Sequence, residues 1–164
     1  MKKNFLKILL IALVTFTATA CTKEDTSGNN NGTGSSSGSD VFVWTENDNT
    51  FAAANTIKCD SAYASAQFKT IFVYKGATTT RYFYEINLSS LAVGAYSITS
   101  TSANAVAYIR PSSTGLQTGT AGSISISANA SNKITGDGTI SMPFAAGGNT
   151  TSRVYIKFTN LPVR

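Results

Sequence analysis

Chemistry has few places to happen in this 164-residue chain, because it contains no histidine. The commonest general base and the commonest metal ligand are absent together. The two cysteines are Cys21 and Cys59. A thiol attacks as its thiolate, which needs a basic neighbour, so Cys59 reads as a small buried hydrophobe. Between Val41 and Arg164 the acids are Glu46, Asp48, Asp60, Glu85 and Asp137. Glycoside hydrolysis needs two carboxyls about 5–10 Å apart, and Glu46 with Asp48 is the one pair close in sequence. Lying beside Asn47 and Asn49, these two read as caps of a tight turn. Calcium would take the same oxygens, but Ile57 stands where an EF-hand loop needs its twelfth-position glutamate. Gly136-Asp137-Gly138 is not followed by a helix, so it is no phosphate cradle. The residues therefore predict a non-enzyme with no cofactor and no metal, with Asp60, Glu85 and Asp137 lying apart.

The other cysteine has a position that suggests chemistry of a different kind. Lys2-Lys3 is followed by the apolar run Ile8–Val14 and then by Ala18-Thr19-Ala20-Cys21. A basic start, a short apolar stretch and small residues form a secretion signal. Fifteen uncharged residues separate Lys7 from Lys23, whereas a membrane-spanning helix needs roughly 20 apolar ones. Cleavage before Cys21 resembles the processing of bacterial lipoproteins, in which the new N-terminal cysteine carries lipid. The resemblance departs at Ala18, where the lipoprotein motif has leucine. Soluble secretion through the small-x-small pattern Ala18-Thr19-Ala20 is the alternative, and it would leave a Cys21–Cys59 bridge open. Two acyl signals give stable anchoring where one does not, and a diacylated, amide-acylated cysteine supplies them. Lys23-Glu24-Asp25 resembles the surface-export signal of Bacteroidota lipoproteins, which places the protein in the outer membrane, facing outwards; a periplasm-facing or secreted form is the alternative.

Beyond the anchor lies a tether and then a domain. The tract Thr26–Ser39 has no large apolar side chain and cannot build a core. The 19 residues of Thr22–Asp40 span roughly 25 Å on average and about 65 Å when stretched. The chain thus divides into a signal peptide over 1–20, lipidated cysteine and tether over 21–40, and a domain over 41–164. Those last 124 residues suffice to bury about two-thirds of their unfolded surface. Net charge falls from +5 to +2 once Lys2, Lys3 and Lys7 leave with the signal. The remaining cations are scattered singly, which excludes a nucleic-acid partner.

Alternation of apolar and polar residues makes the domain all-β. Tyr82, Tyr84, Ile86 and Leu88 share one face, Ile124 and Ile126 another, and Ile134, Gly136, Gly138, Ile140 and Met142 a third. Val154, Ile156 and Phe158 form the last. Period two means one buried and one wet face per strand, as in antiparallel sheets. Strands are expected at about Val41–Thr45, Phe51–Cys59, Phe68–Lys75, Tyr82–Leu88, Ala95–Ser100, Ala105–Arg110, Gly122–Ala128, Lys133–Met142 and Val154–Phe158. Ser61–Gln67 offers at best one helical turn. Turns are expected at Asn47–Asn49, Gly76–Thr79 and Asn129–Asn132. About eight or nine short strands predict an antiparallel β-sandwich, with a closed barrel as the alternative.

The segments Gly94-Ala95-Tyr96-Ser97-Ile98, Gly122–Ile126, Ile134–Ile140 and Phe158–Val163 follow one another in an order that resembles small all-β lipoproteins of Bacteroidota. That resemblance implies a lipid-anchored single domain and no particular activity. Asp60-Ser61-Ala62 resembles the short pattern on which these bacteria O-glycosylate exported proteins, so Ser61 is the candidate glycan site. Seven tyrosines and one tryptophan suit either a core or a wet interface; Trp44, Tyr82 and Tyr84 are expected in the core. The expected function is a non-enzymatic, lipid-anchored envelope protein whose sandwich binds a surface glycan or a protein. The alternative is a structural or assembly component of an envelope complex.

Overall fold

The computed structural model describes residues 41–164 except 47–48, 77–80, 112–115 and 144–150. The period-two segments become strands because each can then dry one face while its backbone pairs with neighbours. Eleven strands and no helix occur among the described residues. They are β1 (Phe42–Thr45), β2 (Ile57–Lys58), β3 (Ser61–Ser65), β4 (Thr70–Lys75), β5 (Tyr82–Asn87), β6 (Gly94–Thr99), β7 (Ala105–Ile109), β8 (Gln117–Thr118), β9 (Ala121–Ala130), β10 (Lys133–Pro143) and β11 (Thr151–Pro162). Two antiparallel sheets result, of six strands in the order β2-β1-β11-β10-β9-β6 and five in the order β3-β4-β5-β7-β8. They do not close into a barrel. The fold is a β-sandwich.

Three regions differ from the sequence expectation, the smallest being β8, a two-residue strand that lies outside every expected segment. Over Phe51–Cys59 only Ile57–Lys58 is extended. The Asn55 N–H and the Thr56 hydroxyl both return to the Ala52 carbonyl, at 2.9 and 2.8 Å, and wind the preceding residues into a turn. Ser61–Gln67 contains a strand, β3, rather than a helical turn. Its inward residues are alanines, Ala62 and Ala64, which carry a weak burial signal and favour helices in isolation. The Asn129–Asn132 turn tightens to two residues, Ser131 and Asn132, both at positive φ (53° and 56°), as a two-residue hairpin linking right-twisted strands requires.

One glycine has a packing reason. Gly136 sits at a register shift of β10 against both neighbours, directly opposite Phe158. A Cβ there would strike the Ser125 carbonyl oxygen and the Phe158 ring. The ring lies in the space the missing side chain leaves.

The core lies between the sheets, and the expected inward residues Ile86, Ile124, Ile126, Ile140, Ile156 and Phe158 are all buried in it. Its centre is aromatic. From the larger sheet, Phe158 stacks on Phe42 with ring centroids 6.1 Å apart. Phe42 and Trp44 then meet Tyr84 of the smaller sheet at 6.0 and 5.3 Å. Tyr84 lies flat on Tyr108 at 4.0 Å, and half-buried Tyr82 closes the edge of Trp44 at 5.5 Å. Most of the polar atoms that enter here are joined in a chain. The Trp44 indole N–H donates to the Tyr108 hydroxyl at 3.3 Å. That hydroxyl donates to Glu46 Oε1, while Glu46 Oε2 lies 3.6 Å from the Arg110 guanidinium. The Tyr84 hydroxyl is different: it is fully buried and makes no well-formed hydrogen bond.

These two tyrosines should respond oppositely to loss of a hydroxyl. In urea unfolding, Tyr108→Phe should cost about 1–3 kcal/mol, because it strands the Trp44 donor and the Glu46 acceptor. Tyr84→Phe should fall within about 0.5 kcal/mol of neutral or stabilise, since it removes a buried hydroxyl that had no well-formed hydrogen bond. Burial, then neighbouring negative charge, holds both phenols far above the usual tyrosine range. An unfolded tyrosine ionises near about pH 10, so their contribution is complete below that pH and is lost above it. Melting followed against pH should stay level to about pH 9 and then decline, with the 295 nm tyrosinate signal rising in step with unfolding.

Candidate binding face on the five-stranded sheet

Strand register brings together, on the outer face of the smaller sheet, aromatic residues that lie far apart in sequence. Side chains alternate along each strand, so the partners of Ala62, Ala64, Val73, Tyr84 and Val106 in the core are outward neighbours. Across the strands these form two rows. Ser61, Tyr74, Phe83 and Ile109 stand opposite one another in the first. Tyr63, Phe72, Glu85, Ala107 and Thr118 make the second. Within the rows, ring centroids of Tyr74 and Phe83 are 5.1 Å apart, and those of Tyr63 and Phe72 are 5.4 Å apart. Tyr74 is 38% exposed; Tyr63, Phe72, Phe83 and Ile109 are half-buried by each other.

Polar groups frame this surface. The Arg164 guanidinium sits 5.0 Å over the Tyr63 ring, a cation–π contact. Glu85 accepts a hydrogen bond from the Asn87 side-chain amide at 3.0 Å. Burial, followed by the adjacent Tyr63, raises the Tyr74 phenol above its ordinary value, so it is a neutral hydroxyl donor at physiological pH. The outer face of the six-stranded sheet is unlike it. There the rows read Ser97, Ser123, Thr139, Tyr155 and Thr45, then Ala95, Ser125, Asp137, Lys157 and Val43. One side of the sandwich is aromatic and the other is hydroxyl-rich and charged.

The residues singled out in the sequence fall as follows. Ser61 is exposed as the first residue of β3, directly opposite Tyr74 at the rim of the aromatic face. Cys21 and Asp48 lie outside the described residues. Glu46 departs from the expected turn cap: the Asn49 N–H does return to its carbonyl at 3.1 Å, but its carboxyl joins Tyr108 and Arg110 at the core. Nothing in the local sequence marks that partnership, because Arg110 is over sixty residues away. Asp60 accepts the Gly76 N–H at 2.7 Å and pairs with Lys75 at 3.9 Å. Glu85 faces outwards from one sheet and Asp137 from the other. Cys59 is buried, and burial pushes its thiol upwards, which makes a poor nucleophile. Among the described residues no three His, Cys, Asp or Glu side chains gather to hold a metal.

Alternation along single strands does not reveal the aromatic rows. Phe72 and Tyr74 are two apart, and Phe83 opposes the inward Tyr82 and Tyr84, so each strand hinted at an outward ring. Only the register of four strands joins them. At the rim, between β3 and the ends of β10 and β11, lies a cleft of about 270 Å³ lined by Asp60, Ser61, Ala62, Lys133, Pro162 and Arg164. A second cleft, of about 320 Å³, opens beside Lys69, Leu91 and Asn129; its Asn129 amide is spent on the Leu91 carbonyl at 2.8 Å.

No family model, no curated protein and no solved structure matches this chain.

Proposed function

We propose that this chain is a non-enzymatic, lipid-anchored protein of the cell envelope, held in the outer membrane at Cys21. The signal over 1–20 directs it there, the tether over 21–40 spaces it from the lipid, and the sandwich over 41–164 serves as a surface module that binds a glycan or a protein. The observation that carries the binding role is the ring-bearing outer face of β3, β4, β5 and β7. Burying aromatic area inside the sandwich explains Trp44, Tyr84 and Tyr108, but placing Tyr63, Phe72, Tyr74 and Phe83 against water stabilises nothing comparable. Rings with polar tips suit contact surfaces that are dry on binding and wet otherwise. No helix among the described residues is long and apolar enough to cross a membrane, which is compatible with a lipid anchor.

Assembly by strand addition is less well supported. The free edge of β6 is the longer of the two edges of the six-stranded sheet, and its outward groups at Ser97 and Thr99 are partly engaged. The Asn104 amide donates to the Ser97 carbonyl at 3.0 Å, and the Thr99 N–H donates to the Ser102 hydroxyl at 3.0 Å. The lower half of the β3 edge is taken by Arg164, whose N–H donates to the Ala64 carbonyl at 2.8 Å. Guarded edges discourage pairing with another chain.

Two experiments test the proposal. Cys21→Ser should abolish incorporation of labelled acyl chains and move the protein from the membrane to the soluble fraction; a variant that still sediments with membranes defeats the anchor. For binding, the full-length chain is applied to glycan and envelope-protein arrays beside Tyr63→Ala and Tyr74→Ala. Both substitutions lie on an exposed or half-exposed face and should leave the melting midpoint within a few degrees while reducing bound signal about tenfold. Equal signal from the wild type and both variants would remove the face from the function.

A further inference from the structure

The aromatic face continues into the rim cleft, and the two share residues. Ser61 belongs to the first row and lines the cleft; Arg164 covers Tyr63 of the second row and lines it too. The cleft carries two cations, Lys133 and Arg164, and among the described residues neither makes an ion pair. Its one acid, Asp60, is already held by the Gly76 N–H and the Lys75 ammonium. The Arg164 carbonyl oxygen is turned to the Ala66 N–H at 2.9 Å. The rim therefore places two cations, with no side-chain carboxylate of the described residues paired to either, beside the ring-lined surface.

Size narrows the occupant. Three ring-bearing strands at about 4.8 Å spacing, with two rows of outward residues about 7 Å apart, give a ring-bearing footprint of roughly 200 Å². A protein partner covers about 800 Å² on each side in a stable interface. The footprint matches a short flat chain better than a folded domain. Resting on the binding role proposed above, we infer that this face takes an acidic oligosaccharide, with sugar rings over the Tyr63–Phe72 and Tyr74–Phe83 pairs and a uronate carboxylate in the cleft between Lys133 and Arg164. The Arg164 guanidinium can fork onto a carboxylate while keeping its stack on Tyr63. Glu85 accepts hydrogen bonds from ring hydroxyls next to Phe72, in the middle of the second row. The negative group belongs at the cleft end and neutral rings belong beside Glu85.

The test is affinity electrophoresis of the full-length chain in mild detergent, through gels containing polygalacturonate, hydroxyethylcellulose or polyglutamate. The wild type should be retarded by polygalacturonate, and retardation should weaken as salt rises. Lys133→Gln with Arg164→Gln should raise the apparent dissociation constant about tenfold, and Tyr74→Ala should weaken it independently. Unchanged thermal midpoints confirm that these exposed substitutions leave the fold intact. Retardation by hydroxyethylcellulose that equals that by polygalacturonate and ignores the charge variants would overturn the acidic ligand while leaving a glycan-binding face. Equal retardation by polyglutamate, insensitive to Tyr74→Ala, would reduce the site to charge alone and overturn it. No retardation in any gel, with a protein captured through Tyr63 and Tyr74 on the arrays, would overturn the glycan and keep the binding role.

Discussion

Holding two sheets face to face requires that something large fill the space between them without leaving polar atoms stranded. Here that is a wedge of rings, Phe158, Phe42 and Trp44 from one sheet against Tyr84, Tyr108 and Tyr82 from the other. Aromatic side chains bury more area per residue than any aliphatic one and align at preferred angles, so the wedge sets both the separation of the sheets and the pairing of β1 with β11. Its cost is that indole and phenol groups must be satisfied in the dry interior. The chain Trp44–Tyr108–Glu46–Arg110 does so for the indole and the Tyr108 phenol, leading from the core to the sandwich end, and leaves the Tyr84 hydroxyl without a partner. The Gly136 gap completes the wedge by admitting the Phe158 ring.

Once those rings are committed inside, the remaining aromatics acquire meaning. Tyr63, Phe72, Tyr74 and Phe83 have no second layer to bury them. They cluster on one outer face, whereas the opposite outer face carries mainly serine, threonine, Asp137 and Lys157, with Tyr155 as its ring. An asymmetry of this kind is not required for folding, because a sandwich needs only its inner faces apolar. The polar face, the guarded β6 edge and the ring-lined face together give the domain one side suited to contact and others suited to water.

Much of this architecture was legible in the sequence. Alternation at Tyr82–Leu88, Ser123–Ser127, Lys133–Met142 and Arg153–Phe158 named strands and their inward faces, because burial of one face imposes period two directly on the residues. What escaped depended on small or distant residues. Alanine gave β3 no hydrophobic signature, and the turn at Ala52–Thr56 arose from backbone and hydroxyl bonds that residue type does not announce. The core role of Glu46 and the aromatic face both depend on which strands lie side by side. One chain read linearly records no strand order, so neither Glu46 with Arg110 nor Tyr63 with Phe72 could be paired in advance.

The binding role proposed above requires the outer face of β3, β4, β5 and β7 to be covered in intact cells. Hydroxyl-radical footprinting tests it most directly, by comparing oxidation of each aromatic residue in intact cells with that in the purified chain. Tyr155, on the outer face of the other sheet, is the internal reference. Protection of Tyr63, Phe72, Tyr74 and Phe83 in cells, with Tyr155 unchanged, is the expected result. Equal oxidation of all five in both settings, or protection confined to Tyr155, would contradict it.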